Sequence, residues 1–264
     1  MNDAVLPLQD KHALITGGSR GIGLAIARRL LALGARVTVM GRDQGALDAA
    51  RENLDGKSRV ATVVGDVSDA ASVAEAFNAA RHHNGSIDIL INNAGAAASE
   101  RFDRMDAQTW NSMIAVNLTG VFHCTQAALP DMVSHGWGRV VNVASTAGLT
   151  GYSYVTAYCA AKHGVVGLTR ALAQEVATRG LTVNAVCPGF TDTDIVREAV
   201  SNIANKTGQS LDEARGGLAK RNPQGRLVEP DEVAQTVAWL CLPDSAAMNG
   251  QAIAVDGGET AGTR

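Results

Sequence analysis

The 264-residue chain predicts one α/β domain, a doubly wound parallel sheet of seven strands with helices on both faces. Three observations predict it. Short β-rich apolar runs alternate with longer amphipathic ones along nearly the whole chain. The short runs are apolar almost throughout, as strands covered on both faces must be. Aromatic residues are only 4% of a chain that is 46% hydrophobic, so its core is aliphatic. The length is near the upper end for a single core, and there is no linker or internal repeat.

HALIT at 12–16 is the first strand, and a helix over 19–33 stops at Gly34. The second strand is 35–41, followed by a helix over 44–54 with Asp43 as its N-cap. RVATVVGDV at 59–67 reads as the third strand and 69–82 as a helix. IDILIN at 87–92 is the fourth strand. A long helical stretch over 107–134 follows, kinked or closed by Pro130. The fifth strand spans 139–145, the next helix 154–178 and the sixth strand 181–187. The irregular stretch 191–225 carries short helical patterns at 195–205 and 211–220, and reads as a substrate-covering lid or as a surface excursion packed shut. A helix over 230–240 and a seventh strand over 251–256 complete the pattern.

Composition excludes several functions. A net charge of -3 with no basic run gives no footprint for nucleic acid or an anionic membrane surface. Residues 1–10 lack the pattern of a signal peptide, and no apolar run is long enough to span a bilayer. Cys124, Cys159, Cys187 and Cys241 are widely spaced and form no cluster with the histidines. They read as buried free thiols of a cytoplasmic protein, and no metal site is expected.

The first strand runs into Thr16-Gly-Gly-Ser-Arg-Gly-Ile-Gly23. Glycines at 17, 21 and 23 permit a sharp turn and close approach of a pyrophosphate, and the next helix aims its free N–H groups there. Ser19, Arg20 and Ile22 fill the positions between. A glycine loop between strand and helix predicts a dinucleotide site on a Rossmann-type fold.

The Gly-x-x-x-Gly-x-Gly spacing resembles the short-chain dehydrogenase/reductase family, and the likeness extends over nearly the whole chain. Asp66-Val67 falls at the end of the third strand, where the family contacts adenine. Asn92-Asn93-Ala94-Gly95 ends the fourth, Asn117 lies in the long helix and Ser145 ends the fifth. Tyr158-x-x-x-Lys162 follows, and Pro188-Gly189 ends the sixth strand, with Thr191 and Thr193 just beyond. These positions recur at strand carboxyl ends, where open α/β sheets bind ligands. The resemblance implies a nicotinamide-dependent oxidoreductase acting on C=O or CH–OH, with a small-molecule substrate. It also implies a homotetramer, with the two long helices and the last strand at the interfaces.

NAD(H) sites usually hold the ribose with an acid about twenty residues past the glycines. Gly41 stands at that position and Arg42 follows. Arg42 and Arg20 together suit a 2′-phosphate, so NADP(H) is preferred and NAD(H) remains possible. Asp43 could be a ribose ligand or a helix cap.

Tyr158 and Lys162 share one helical face. A nearby ammonium should lower a phenol from its ordinary value of ~10, a shift of about three units being worth ~4 kcal/mol. By resemblance, Tyr158 exchanges the proton, Lys162 also binds the nicotinamide ribose, Ser145 steadies the substrate oxygen, and Asn117 links a water relay to Lys162. Enoyl reductase relatives would need tyrosine at Val155, so C=O is expected over C=C chemistry. A protein that senses NADP(H) without turnover would be expected to lack the tyrosine or the lysine.

The segments Tyr158-Cys-Ala-Ala-Lys-His-Gly and Asn184-Ala-Val-Cys-Pro-Gly-Phe resemble 3-oxoacyl thioester reductases and polyketide ketoreductases. Carrier-protein substrates would call for basic residues at the site's mouth. Arg179 could serve, whereas His135-Gly-Trp-Gly138 is not basic. A coenzyme A thioester or a free ketone or alcohol stays open. Arg197, Lys206, Arg215 and Lys220 could meet a CoA phosphate or form a solvated face, and Tyr152 and Tyr154 could shape the pocket.

Overall fold

The computed structural model describes residues 6–262. The N-terminal reading of residues 1–10 therefore lies in part outside the described residues. Seven strands form one sheet in the order β3-β2-β1-β4-β5-β6-β7: β1 His12–Thr16, β2 Arg36–Gly41, β3 Val60–Val64, β4 Ile89–Asn92, β5 Gly138–Val143, β6 Leu181–Pro188 and β7 Ala252–Val255. Each pairing is parallel. The helices are α1 Gly21–Ala32, α2 Gln44–Asn53, α3 Ala70–Asn84, α4 Ala107–Ile114, α5 Gly120–His135, α6 Thr156–Val176, α7 Asp194–Thr207, α8 Leu211–Ala219 and α9 Pro230–Cys241.

Alternate strand residues separate two apolar layers, as a period of two requires. Ala13 and Ile15 pack with Ile26 and Leu30 of α1, Leu47 of α2 and Val233 and Val237 of α9. Leu14 turns to the other face, with Phe77 of α3, Cys124 and Ala128 of α5 and Ala173 of α6. Burying one such Leu, Ile or Phe side chain contributes about 1.5–3 kcal/mol. The two layers fix which strand ends meet at the carboxyl edge.

Several boundaries differ from the sequence reading. The third strand stops at Val64, so Asp66 and Val67 lie in the loop beyond it, where Ser68 and Ser72 satisfy Asp66. The fifth stops at Val143, and Ser145 caps a short 3-10 turn through Ala147 N–H. The long helix is interrupted by a π-helical turn at Ala115–Thr119. Pro130 lies inside α5 without closing it; Gly136 in the left-handed region (φ 61°) does that. The stretch 191–225 forms a helical hairpin with its own small core of Val196, Val200, Ala214 and Leu227. Cys124, Cys187 and Cys241 are buried as expected, whereas Cys159 is half-exposed because it falls off the buried face of α6.

A chain of buried amides crosses the sheet beneath the carboxyl edge. Asn92 Nδ2 donates to Asn142 Oδ1 at 2.8 Å, and Asn142 Nδ2 donates to Thr169 Oγ1 at 2.9 Å. Because buried polar groups are costly when unpaired, Asn142→Ala is expected to destabilise by about 2–4 kcal/mol. Calorimetry should show Tm lower by roughly 5–10 °C. A shift below about 2 °C would show this amide chain to be dispensable.

Candidate active site

The glycine loop joins β1 to α1 at the carboxyl edge. Gly17 sits at φ +61°, and a Cβ there would lie 2.8 Å from Ala94 Cα. A Cβ on Gly23 would run into the Gly17 carbonyl oxygen. Both positions therefore need the missing side chain, and the loop folds tightly while keeping its outer face backbone. Asn93 holds it there: its Nδ2 donates to Thr16 O at 3.0 Å and Gly17 O at 2.9 Å. The Asn93 and Ala94 N–H groups both donate to Thr16 Oγ1 at 3.0 Å. Asn93 thus supports the loop with its amide. The α1 N-terminus carries no side-chain cap, which leaves its first N–H groups open to an anion.

At the end of β2, the missing side chain of Gly41 faces Ser19. A Cβ placed there would lie 3.9 Å from Ser19 Oγ and 3.4 Å from Leu47 Cδ2. The space beside the loop is therefore free of any acid at position 41. Asp43 accepts the Ala46 N–H at 2.7 Å and caps α2, so its carboxylate is engaged as a cap. Arg42 lies within electrostatic reach of Asp66, whose carboxyl is held below the usual range chiefly by the Ser68 hydroxyl. Arg20 forms a 3.4 Å ion pair with Asp194 of α7 instead of lying free beside Arg42. Thr193, the N-cap of α7, places its methyl against Gly21. Thr191 Oγ1 donates to Gly189 O at 3.0 Å, and Gly189 N–H donates to Val255 O, which holds the turn after β6 in place. Ile22 packs partly buried on the core behind the loop, and Val67 packs beneath Gly120.

Ser145, Tyr158 and Lys162 come together where β5 and the start of α6 meet. Ser145 is within hydrogen-bonding reach of the Tyr158 phenol. Lys162 Nζ donates to Val143 O at 2.9 Å and lies 5.5 Å from the centroid of the Tyr158 ring. The expected lowering of the phenol by the lysine is not found. Burial pushes Tyr158 up to about 12, with Ser145 drawing it partly back. Lys162, only 4% exposed, is pushed down to about 8 by the same loss of water. Desolvation outweighs the pair because the ammonium is directed at a backbone carbonyl and stands over the ring. Cys187, behind them, is raised to about 11 by burial and stays a neutral thiol.

Asn117 is fully buried in the π-helical turn. Its Nδ2 donates to Ala96 O at 2.9 Å and Met113 O at 3.0 Å, and its Oδ1 accepts from Ala96 N–H at 3.2 Å. A Cβ on Gly95 would lie 3.0 Å from Asn117 Oδ1 and 3.8 Å from Lys162 Nζ, so Gly95 keeps open the space the two residues share. π-turns gather at functional positions, and this one has no residue-level signature that a helical periodicity could reveal.

One cluster has no signal in the sequence. The Tyr152 hydroxyl donates to Glu259 Oε1 and shares a 2.8 Å hydrogen bond with Thr146 Oγ1. Its ring meets Phe190 edge-on, and Arg221 lies 5.2 Å over it. Residues 107 apart form this wall, which no local pattern could announce. Tyr154 occupies the left-handed region at φ +69°, a conformation costing a non-glycine residue about 1–2 kcal/mol. The basic residues considered for larger substrates are otherwise engaged: Arg197 pairs with Asp192 and Asp194, and Arg215 with Asp192. Lys206 and Lys220 are exposed at the ends of α7 and α8. Arg179 and His135–Gly138 precede strands and so lie at the amino edge, opposite the site, where they cannot border its mouth on this chain. Trp137 at that edge is covered by Lys11 and Arg139.

A glycine-lined cradle at a helix N-terminus, beside a serine, a tyrosine and a buried lysine, defines a dinucleotide-dependent oxidoreductase. Residues 11–204 match the short chain dehydrogenase family. D-beta-hydroxybutyrate dehydrogenase of Cupriavidus necator is 39% identical over 95% of this chain and 98% of its own. Granaticin polyketide synthase putative ketoacyl reductase 1 of Streptomyces violaceoruber is 42% identical over 93% and 92%. A variant of actinorhodin polyketide ketoreductase, solved with NADPH, superposes with a TM-score of 0.91 at 38% identity, covering 94% of this chain and 97% of that one. The chain belongs to the short-chain dehydrogenase/reductase family. Among the described residues no helix is long and apolar enough to cross a membrane, and no group of metal-binding side chains occurs.

Proposed function

We propose that this protein is an NADP(H)-dependent reductase of a 3-oxoacyl thioester, working between C=O and CH–OH. The observation that carries the reading is the meeting of Ser145, Tyr158 and Lys162 beside Gly95 and the glycine loop. Similarity to proteins named for ketoacyl and hydroxybutyrate substrates favours an oxygen at C3 of an acyl group. The α1 N-terminus and Ser19 would hold the pyrophosphate, Arg42 the 2′-phosphate and Lys162 the nicotinamide ribose. A bound nicotinamide supplies or accepts the hydride. Ser145 donates to the substrate oxygen as charge gathers there, and Tyr158 passes it a proton. A phenol near 12 is a proton donor throughout the neutral range, which suits reduction. Lys162 gives the site its positive charge, and Asn117 fixes the backbone of the turn behind it. The segment 191–225 closes over this edge as a lid. Trp110 and Phe122, exposed on α4 and α5, favour burial against further copies in a homotetramer.

Purified protein should consume NADPH with acetoacetyl-CoA and with small 3-oxo esters. A second reading, NAD(H)-dependent oxidation of a small 3-hydroxy acid, draws on the hydroxybutyrate dehydrogenase likeness. Faster turnover of 3-hydroxybutyrate with NAD would favour it over the first.

The pH dependence has a definite sign. Lys162 is protonated below about 8 and neutral above it. The kcat/KM for the cofactor reports groups of the free enzyme. It should be flat below pH 7 and fall as pH rises through about 8, when Lys162 loses its proton. A profile without an inflection between about 7 and 9 would remove the cation from cofactor binding.

A further inference from the structure

We infer that Tyr154 is a specificity-determining residue, whose ring at the rim of the cleft contacts the extended arm of a thioester beyond the reacting carbonyl. This rests on the 3-oxoacyl reading above. Tyr154 stands four residues before Tyr158, at the start of α6, and parallel βα units place that helix end at the sheet's carboxyl edge. Its backbone is at φ +69°, a region that glycine occupies freely and a bulky residue does not. Its side chain is 60% exposed, so core packing does not compensate for the conformation. Strain of this kind, held by the surroundings, concentrates at functional positions.

The surroundings here are specific. The Tyr154 carbonyl accepts the Glu100 N–H at 2.8 Å, which ties the loop after β4 to the start of α6. Two residues further along that loop, Phe102 is 72% exposed. Arg101 lies within electrostatic reach of the Tyr154 phenol. Two exposed aromatic side chains thus stand on the two loops that carry Gly95 and Ser145. A small ketone ends inside the cleft and gains nothing from such a rim. An acyl thioester has an amide-bearing arm that must leave the cleft, and an aromatic face with a cation beside it suits that arm.

The test compares wild type with Tyr154→Gly, Tyr154→Asn and Tyr154→Phe, using NADPH with acetoacetyl-CoA and with ethyl acetoacetate. Glycine and asparagine both accept φ +69°, so these variants fold, and Tm should rise by about 2–4 °C on relief of strain for glycine. For both, the ratio of kcat/KM for acetoacetyl-CoA to that for ethyl acetoacetate should fall about tenfold, with the loss in KM. Phenylalanine should keep the ratio within about twofold, because it keeps the ring face. A raised Tm with an unchanged ratio overturns the inference and leaves the 3-oxoacyl reading intact. So does a change in assembly by light scattering without a change in ratio, which would make Tyr154 a contact between copies. Wild type that turns over ethyl acetoacetate and not acetoacetyl-CoA overturns the thioester reading itself, and the inference with it.

Discussion

Tyr158→Phe is expected to lower kcat for reduction by about 10²–10⁴-fold, the range a positioned acid–base group supplies. The substitution keeps the ring that Lys162 overlies at 5.5 Å and removes only the oxygen within reach of Ser145. Cofactor affinity, measured by the change in NADPH fluorescence, should stay within about twofold, and Tm should barely move. The two directions of the reaction separate the acid role from a packing role. With a phenol near 12, wild-type reduction has its proton donor at every pH from 6 to 10. Oxidation needs the phenolate and should quicken as pH rises toward that value. Tyr158→Phe should remove that rise. A variant with the wild-type rate in both directions would falsify the assignment.

Gly41→Asp is expected to shift the kcat/KM preference from NADPH toward NADH by about 100-fold, equivalent to ~2.7 kcal/mol. Its Cβ would meet Leu47 Cδ2 at 3.4 Å, an ordinary contact, and Gly41 is not in the left-handed region, so the fold accepts it. The new carboxylate would lie beside Ser19, where it can accept a ribose hydroxyl and repel a 2′-phosphate. Arg42→Ala should move the same ratio about tenfold by removing one charge-assisted contact. Asp43 is retained in both variants because it caps α2. If NADPH and NADH are used in unchanged proportion by both variants, the end of β2 does not choose the cofactor.

Much of this architecture was legible in the chain. The HALIT run marks β1 at its observed residues, and the parallel pairing follows from crossovers that alternating strands and helices require, whereas the strand order comes from the fold. Ser145, Tyr158, Lys162 and Gly95 were named, and they meet. Boundaries were less legible where a side chain outside the periodicity ends the element. Ser68 and Ser72 turn the chain after Val64, so Asp66 leaves the strand. The π-turn at Ala115–Thr119 preserves the helical direction and was hidden for that reason. Asn93 is marked in the sequence by its motif, whereas its grip on two backbone carbonyls of the glycine loop shows only in the fold.

The layered parallel sheet and the residues at its carboxyl edge can be read from the chain. Hydrophobic periodicity and glycine spacing are local, and local signals survive in one dimension. The charges and the contacts were set by the packing in three dimensions. Burial raised the Tyr158 phenol and lowered the Lys162 ammonium, reversing the shift that spacing alone implies for the phenol. Asp194 took Arg20, and Glu259 reached Tyr152 from the far end of the chain. Desolvation and pairing depend on everything that surrounds a group in space, and neighbours along the chain carry only part of that information.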